Sequence, residues 1–309
     1  MSRIKIALLV GGWSGEREVS LKSGEAIYNA LDKKKYDVTT YDPKVELCAL
    51  MEAKGEIDLV FSLLHGRYGE DGCVQGLLDI LGIRFIGAGV LSSAMAMNKK
   101  VAKDIFRNTG LRVAKDIILK KGEDFSVNEI IETLGPVNVV KPVGQGSSLG
   151  MSLCRNSQEL INGIDEAFEY DKEVIVEEYI DGREITCCII GNKELEALPL
   201  IEIIPEASSL FFDYKAKYTP GACKEICPAD LDKSIGEGIR TCAKKAHQAL
   251  MCREWSRTDT IIQGEKIYVL ETNTIPGMTE QSLVPLAARK AGFSLTEFVD
   301  KIIMFSLER

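Results

Sequence analysis

Apolar and polar positions repeat along this chain with two different periods, and each change of period marks a new element. Ile4–Val10 is a nearly unbroken apolar run that stops at Gly11-Gly12, the pattern of a buried strand entering a tight turn. A helix is predicted from about Leu21 to Lys33, followed by strands at Tyr36–Thr40 and Leu59–Leu64. Cys73–Leu81 has helical spacing, and Arg84–Ile86 reads as a short strand. Strands alternating with helices predict a parallel sheet, and such doubly wound sheets take ligands at the carboxyl ends of their strands. Two polar, glycine-rich loops fall at that edge. One runs from Gly11 to Ser20, the other from His65 to Gly72. The first unit is placed at roughly residues 1–88.

The remainder changes character. Leu91–Met97 and Lys99–Asn108 are predicted helices, Val137–Val140 a strand and Ser157–Ala167 a helix. Val174–Val176 and Ile185–Ile190 are strands interrupted by the acidic stretch from Glu177 to Glu184. Leu198–Ile204 is another strand, after which periodicity is lost from Pro205 to Asp230. A segment of that length without pattern is expected to be a functional lid. Ile235, Ile239, Cys242, Ala246 and Leu250 form the core stripe of a helix over Leu231–Leu250, and helices at Leu283–Ala291 and Leu295–Phe305 close the chain.

Between these last helices lies a hairpin pattern. The runs Thr260–Ile262 and Ile267–Leu270 flank Gln263-Gly264-Glu265, where glycine can supply the bend. An antiparallel pair joined there brings Asp259 opposite Glu271 and Asn273, with Arg257 on the same strand face as Asp259. Two carboxylates and an amide oxygen are hard ligands that suit Mg²⁺ shared with phosphates. The plainer alternative is a solvated hairpin with ordinary surface charges.

Composition narrows the class. The chain has 309 residues, 45% hydrophobic and 27% charged, which is the make-up of a soluble globular enzyme large enough for two or three domains. A net charge of −8 argues against a nucleic-acid footprint, and no apolar run is long enough for a membrane span. The charged and apolar start resembles a signal peptide, but no A-x-A-like cleavage site follows, and a first sheet strand explains it better. Nine scattered cysteines without a C-x-x-C predict reduced thiols in a cytoplasmic protein. Cys223-x-x-x-Cys227 lacks the second ligand pair that a zinc site needs.

Candidate chemistry then falls on the loops. Lys99, Lys100 and Lys103 begin a helix, where cations oppose the helix dipole unless an anion sits there; a solvated basic face is the alternative. Lys141-Pro142-Val143-Gly144-Gln145-Gly146-Ser147-Ser148 follows a strand, and its backbone N–H groups and hydroxyls can wrap phosphate, although the lysine precedes the loop, unlike a P-loop. The strand–acidic hinge–strand around Glu177, Tyr179, Ile180 and Glu184 can offer a backbone edge and carboxylates to a nucleobase and ribose. His65 stands between a structural and a catalytic reading.

Taken in order, G-G-x-S-x-E-R-E-V-S-L-x-S-G, L-H-G-R-Y-G-E-D-G, the helix-initial lysine, K-P-x-x-x-G-S-S-x-G-M, Y-K-A-K-Y, S-R-T-D and E-T-N-T-I-P-G-M-T-x-x-S-L-V-P closely resemble the D-alanine–D-alanine ligase family, ATP-grasp enzymes of peptidoglycan precursor synthesis. The resemblance covers nearly the whole chain. It implies an α/β protein: a doubly wound, Rossmann-like parallel-sheet domain (1–88), then a two-lobed ATP-grasp fold (89–180 and 181–309, with the lid at about 205–230). It implies that ATP phosphorylates one D-alanine and that the amine of a second attacks the acyl phosphate. By the family pattern Lys99, Lys141, Ser148 and Lys217 contact phosphates, and Glu177, Tyr179, Ile180 and Glu184 the nucleoside. Asp259, Glu271 and Asn273 would hold two Mg²⁺ ions, with Mn²⁺ an alternative. Glu16 would pair with the first ammonium, aided by Ser147 and Tyr218. Arg257 and the Gly277 N–H would form an oxyanion hole, and Ser282 and Leu283 would hold the second carboxylate. The general base is open between His65 and the Tyr218–Ser147 pair. The resemblance also implies a homodimer. A D-alanine–D-lactate ligase and a silent ATP-binding regulator are the alternative functions. Asn98 stands where the family often has Asp, and Glu254 where it commonly has Gly.

Overall fold

A computed structural model describes residues 3–146, 149–205 and 223–308 and arranges the strands in three sheets. The first contains β1 (Ile4–Leu9), β2 (Tyr36–Tyr41) and β3 (Leu59–Ser62) in the order β2-β1-β3, all parallel. Helices α1 (Arg17–Ala30), α2 (Pro43–Glu52) and α3 (Cys73–Leu81) accompany them. The expected strand at Arg84–Ile86 is reduced to a single bridge between Val60 and Phe85. Helix α1 begins at Arg17, earlier than its apolar stripe suggested, because Glu16 takes the N-cap position and Glu18 suits the positive end of the helix. The pattern did not announce α2, although its signal was local: Asp42 caps it by accepting from the Lys44 N–H at 3.1 Å, and Pro43 opens it.

Helices α4 (Val90–Met97) and α5 (Lys99–Asn108) lead to an antiparallel sheet. Its strands are β4 (Asp116–Lys120), β5 (Asn138–Pro142), β6 (Ser152–Cys154) and β7 (Glu173–Glu178), in the order β4-β7-β5-β6. Helices α6 (Val127–Leu134) and α7 (Ser157–Tyr170) bury Ile130, Leu160 and Ile164 against Val140, Val174 and Val176. The departure at Asn98 is neutral for the fold: its side chain caps α5 by accepting from the Val101 N–H at 3.0 Å, a task that Asn and Asp perform about equally.

The third sheet contains β8 (Arg183–Gly191), β9 (Glu196–Ala197), β10 (Ile201–Pro205), β11 (Cys223–Ile226), β12 (Glu254–Gln263) and β13 (Lys266–Asn273), in the order β11-β10-β8-β12-β13 with β9 against β8. The end of the patternless stretch is therefore an edge strand, antiparallel to β10. Helix α8 (Lys233–Ala249) packs Ile239 and Ala243 on Ile185 and Ile189. Helices α9 (Leu283–Lys290) and α10 (Leu295–Leu307) return to the first sheet, so that one core contains Ile6, Leu8 and Phe61 together with Trp255, Phe298 and Ile302. Trp255 meets Phe61 edge-on at 5.8 Å, seating the start of β12 against the parallel sheet.

None of the nine cysteines, all among the described residues, is joined in a disulfide. No helix among the described residues is long and apolar enough to cross a membrane.

The passage from β7 to β8 is sterically narrow. A Cβ on Gly182 would lie 2.1 Å from the carbonyl oxygen of Ile262, a backbone atom that cannot swing aside. Gly182→Ala is expected to destabilise the protein by about 1–3 kcal/mol, which thermal denaturation measures as a fall of several degrees; an unchanged midpoint would show that the passage relaxes freely.

Candidate active site

The hairpin of β12 and β13 forms one wall. Arg257 pairs with Asn273 and Asp259 with Glu271, but the next pair is Thr260 with Val269. Leu270 is thus an extra residue, a bulge. It allows consecutive residues Leu270 and Glu271 both to line the cleft beside Asp259 and Ile261. The apolar pattern carried no mark of this irregularity. Arg257 grips Asp259 with two hydrogen bonds, Nε to Oδ1 at 2.9 Å and Nη2 to Oδ2 at 2.8 Å. The Thr186 hydroxyl on β8 also donates to Oδ1. Burial opposes the charge on Arg257, yet Asp259 outweighs it and holds the guanidinium more firmly protonated than usual. Asn273 accepts from the Ile275 N–H at 2.9 Å. Among the described residues no three His, Cys, Asp or Glu side chains form a ready metal cage. What the register assembles is an acidic pair with an amide oxygen beside it, a hard-oxygen set.

The cleft has a volume of about 390 Å³ and lies between the two antiparallel sheets, lined among others by Lys99, Lys141, Tyr179, Glu184 and Glu271. Lys141 reaches it from β5, Glu177 and Ile180 from β7 and the turn after it. Gly144 N–H donates to Asp171 at 2.6 Å, and Lys99 donates to the Gln145 carbonyl, tying the glycine-rich loop to its flanks. Ser147, Ser148, Lys217 and Tyr218 lie outside the described residues.

Glu177 is bound more tightly than the sequence suggested. One carboxylate oxygen takes Lys141 at 2.7 Å and the other takes Lys103 at 2.5 Å. Lys103 is itself 3.0 Å from Asp116. Burial would raise the Glu177 pKa, but the two ammonium groups outweigh it and bring it down to about 2. Lys103 moves the other way: burial dominates over Glu177 and lowers it to about 8. Sequence reasoning noted Lys103 only as one of three lysines. Its signal was positional, since Lys99, Lys103 and Phe106 recur at i, i+4 and i+7, the inward face of α5.

A second cluster of buried polar side chains adjoins the strand ends of the parallel sheet. Ser20 stitches its two loops together, accepting from the Gly11 N–H at 2.9 Å and donating to the Leu63 carbonyl at 2.6 Å. Glu16 and His65 are buried here. Burial lowers the His65 pKa, against the pull of Glu16, so the ring is neutral near pH 7. Its Nε2 has no hydrogen-bond partner among the described residues. Glu70, which the sequence reading passed over, accepts from the Gly66 N–H at 2.6 Å. Burial and the neighbouring Glu16 push its pKa up to about 8. The signal for Glu70 was its place in the same strand-end loop as His65. Gly146 approaches both acids: a Cβ there would be 3.7 Å from Glu16 and 3.9 Å from Glu70. His65 also interacts electrostatically with Arg257, so the parallel sheet's pocket and the hairpin wall are contiguous.

The loop after β13 completes the pocket. His65 forms a backbone hydrogen bond at Ile275, and Ser23 on α1 accepts from the Met278 N–H at 3.2 Å. Gly277 lies against Ser282, whose hydroxyl would be 3.0 Å from a Cβ at that glycine. Ser282 precedes α9 and Leu283 begins it, an arrangement that points free backbone N–H groups at an anion.

Comparison with known proteins agrees on one relationship. A family model described as the D-ala D-ala ligase N-terminus matches residues 5–48 and 42–88, and one described as the D-ala D-ala ligase C-terminus matches residues 105–304. The D-alanine–D-alanine ligase of Syntrophobacter fumaroxidans is 49% identical, over 99% of this chain and 98% of that one. That of Desulfotalea psychrophila is 47% identical, over 99% and 96%. A crystal structure of the Bacillus anthracis D-alanine–D-alanine ligase complexed with ATP superposes with a TM-score of 0.87 at 35% identity, covering 99% of this chain and 98% of the other. The VanG D-Ala:D-Ser ligase of Enterococcus faecalis superposes with a TM-score of 0.85 at 33% identity, covering 99% and 100%.

Two measurements probe the charges. Glu177→Gln would leave Lys141 without its carboxylate and Lys103 with Asp116 alone, at a cost of about 3–5 kcal/mol at pH 7. The loss should be smaller at pH 9, where Lys103 sheds its proton readily, and denaturant unfolding at both pH values checks it. Glu70 ionises near 4.5 when unfolded but near 8 in the fold, so the folded state holds the extra proton between these values and stability falls as pH rises through them. Glu70→Gln should remove that slope, leaving a variant more stable than the parent at pH 8; melting temperatures across this range decide.

Proposed function

The chain belongs to the D-alanine–D-alanine ligase family, and we propose that the two adjoining pockets carry out the ATP-dependent joining of two D-alanine molecules with the residues placed there. The observation that carries this reading is that a lysine-bearing cleft and the buried Glu16, His65 and Glu70 cluster come together at the Arg257–Asp259 wall. Two anions, a nucleotide triphosphate and an amino-acid carboxylate, must meet there, so charge neutralisation is the main catalytic task. Lys99 and Lys141 face the phosphates, with Ser148 and Lys217 assigned beside them, and Glu177 fixes Lys141 in position. Tyr179, Ile180 and Glu184 hold the base and ribose, and Glu177 lies at the same end. Asp259, Glu271 and Asn273 would hold Mg²⁺, two ions in the reading offered here with Mn²⁺ as substitute, and the metal would supply neutralising charge to the phosphates. The oxygen-only donor set across one strand pair fits that group.

In the acid-lined pocket Glu16 takes the ammonium of the first D-alanine, with Ser147 and Tyr218 as its assigned partners. Glu70, neutral beside it at pH 7, leaves a single carboxylate charge there. The first carboxylate accepts the γ-phosphoryl group. Arg257 and the Gly277 N–H stabilise the oxyanion formed when the second amine attacks, and phosphate departs as the peptide bond closes. Ser282 and the Leu283 backbone hold the second D-alanine by its carboxylate. The Nε2 of a neutral His65, without a partner among the described residues, supports that ring as acceptor of the proton that the second ammonium must lose.

The proposed units are 1–88 for amino-acid binding, and 89–180 and 181–309 for the ATP-binding lobes, with the lid at about 205–230. The protein is placed in the cytoplasm as a homodimer, the exposed Ile80 and Leu91 on neighbouring helices α3 and α4 offering an apolar contact.

Incubated with ATP, Mg²⁺ and D-alanine, the protein is expected to release ADP, phosphate and D-alanyl-D-alanine. Absence of dipeptide under all conditions would sink the reading. Product formed mainly when D-lactate or D-serine is added would instead favour a ligase of altered acceptor.

A further inference from the structure

Three consecutive residues at the start of β12 converge on one residue, Gly87. Gly87 donates its N–H to the Glu254 carboxylate, and its carbonyl accepts from Arg253 Nε at 2.6 Å. A Cβ at Gly87 would stand 3.4 Å from Trp255 Nε1. The Arg253 guanidinium also lies over the Phe85 ring at 5.1 Å. Phe85 bridges to β3, whose end leads into the His65 loop, and α4 starts just past Gly87. The gripped peptide is therefore the crossing between the parallel sheet and the rest of the chain.

Glu254 holds its place against local preference. Its backbone is left-handed, φ +64°, and the side chain is fully buried. A residue with a Cβ is strained there, and glycine is the natural occupant. The strain is offset by the hydrogen bond that the Glu254 carboxyl accepts from Gly87 and by the Glu254 N–H, which donates to Asn192 at 3.1 Å. Asn192 in turn donates to the Phe305 carbonyl on α10 at 2.8 Å.

We propose that Arg253 and Glu254 are positioning residues: by holding the carbonyl and the N–H of Gly87 between them, they set the parallel sheet against β12, so that Glu16 and His65 face Arg257. This rests on the amino-acid pocket assigned above. The nucleotide cleft lies between the other two sheets and does not depend on the grip. Loss of the grip therefore acts on D-alanine and spares ATP.

Glu254→Gly keeps the backbone and removes the carboxylate. The KM for D-alanine is expected to rise about tenfold, the scale of one hydrogen bond to a charged group, with the KM for ATP within about twofold of the parent. Amide hydrogen exchange over 83–89 should accelerate. Glu254→Gln, which retains an oxygen acceptor, should restore both readouts most of the way. An unchanged KM for D-alanine, equal rises in both KM values, unchanged exchange, or a Gln variant as impaired as Gly would each overturn the proposal. The parent's own dipeptide formation tests the underlying reaction separately, and the exchange readout needs no activity.

Discussion

The buried ion pair between Arg257 and Asp259 is the interaction around which the site is built. Both residues sit on one strand, two positions apart, and the guanidinium forks onto both carboxylate oxygens. A guanidinium this deep would be costly alone. Paired with Asp259 and close to Glu271, it remains a fixed positive charge where acids of the hairpin and of the loop after β3 converge. His65 and Glu70 from the parallel sheet feel that charge as well. Strand β12 thus carries the neutralising group for both pockets, and Trp255 at its start locks it into the largest core.

The same logic of alternating charge governs the opposite wall. Asp116, Lys103, Glu177 and Lys141 form a chain in which each buried charge meets one of opposite sign. Lys103 and Lys141 share Glu177, and Asp116 balances Lys103 from its other side, so that the shared carboxylate holds Lys141 in place at the cleft wall.

Much of this was legible in the linear chain. The parallel order of the first sheet followed from strands alternating with helices, and the hairpin turn from a glycine between two apolar runs. That Asp259 lies near Glu271 and Asn273 followed from that turn, but counting alone puts Leu270 opposite Asp259, and the bulge moves the pairing on to Glu271. Other features were not legible. Lys103 looked like part of a solvated basic face, because its partners Glu177 and Asp116 are distant in sequence. Glu70 looked like one acid among several in a loop, and only its burial next to Glu16 makes it a neutral group. The bulge at Leu270 left no trace in the pattern, since its residue is apolar like its neighbours.

The sequence by itself determined the elements, the family and the residue types available for chemistry, because periodicity, turn residues and ordered motifs are local properties of the chain. Only the tertiary structure decided which charges face one another and in what protonation state. Those depend on distance and on exclusion of water, and both are set by contacts between segments far apart in the chain. Glu254 shows the division most clearly. In the sequence it is an unexpected acid before a strand; in the fold it is a left-handed residue whose carboxylate finds a buried peptide 167 positions away.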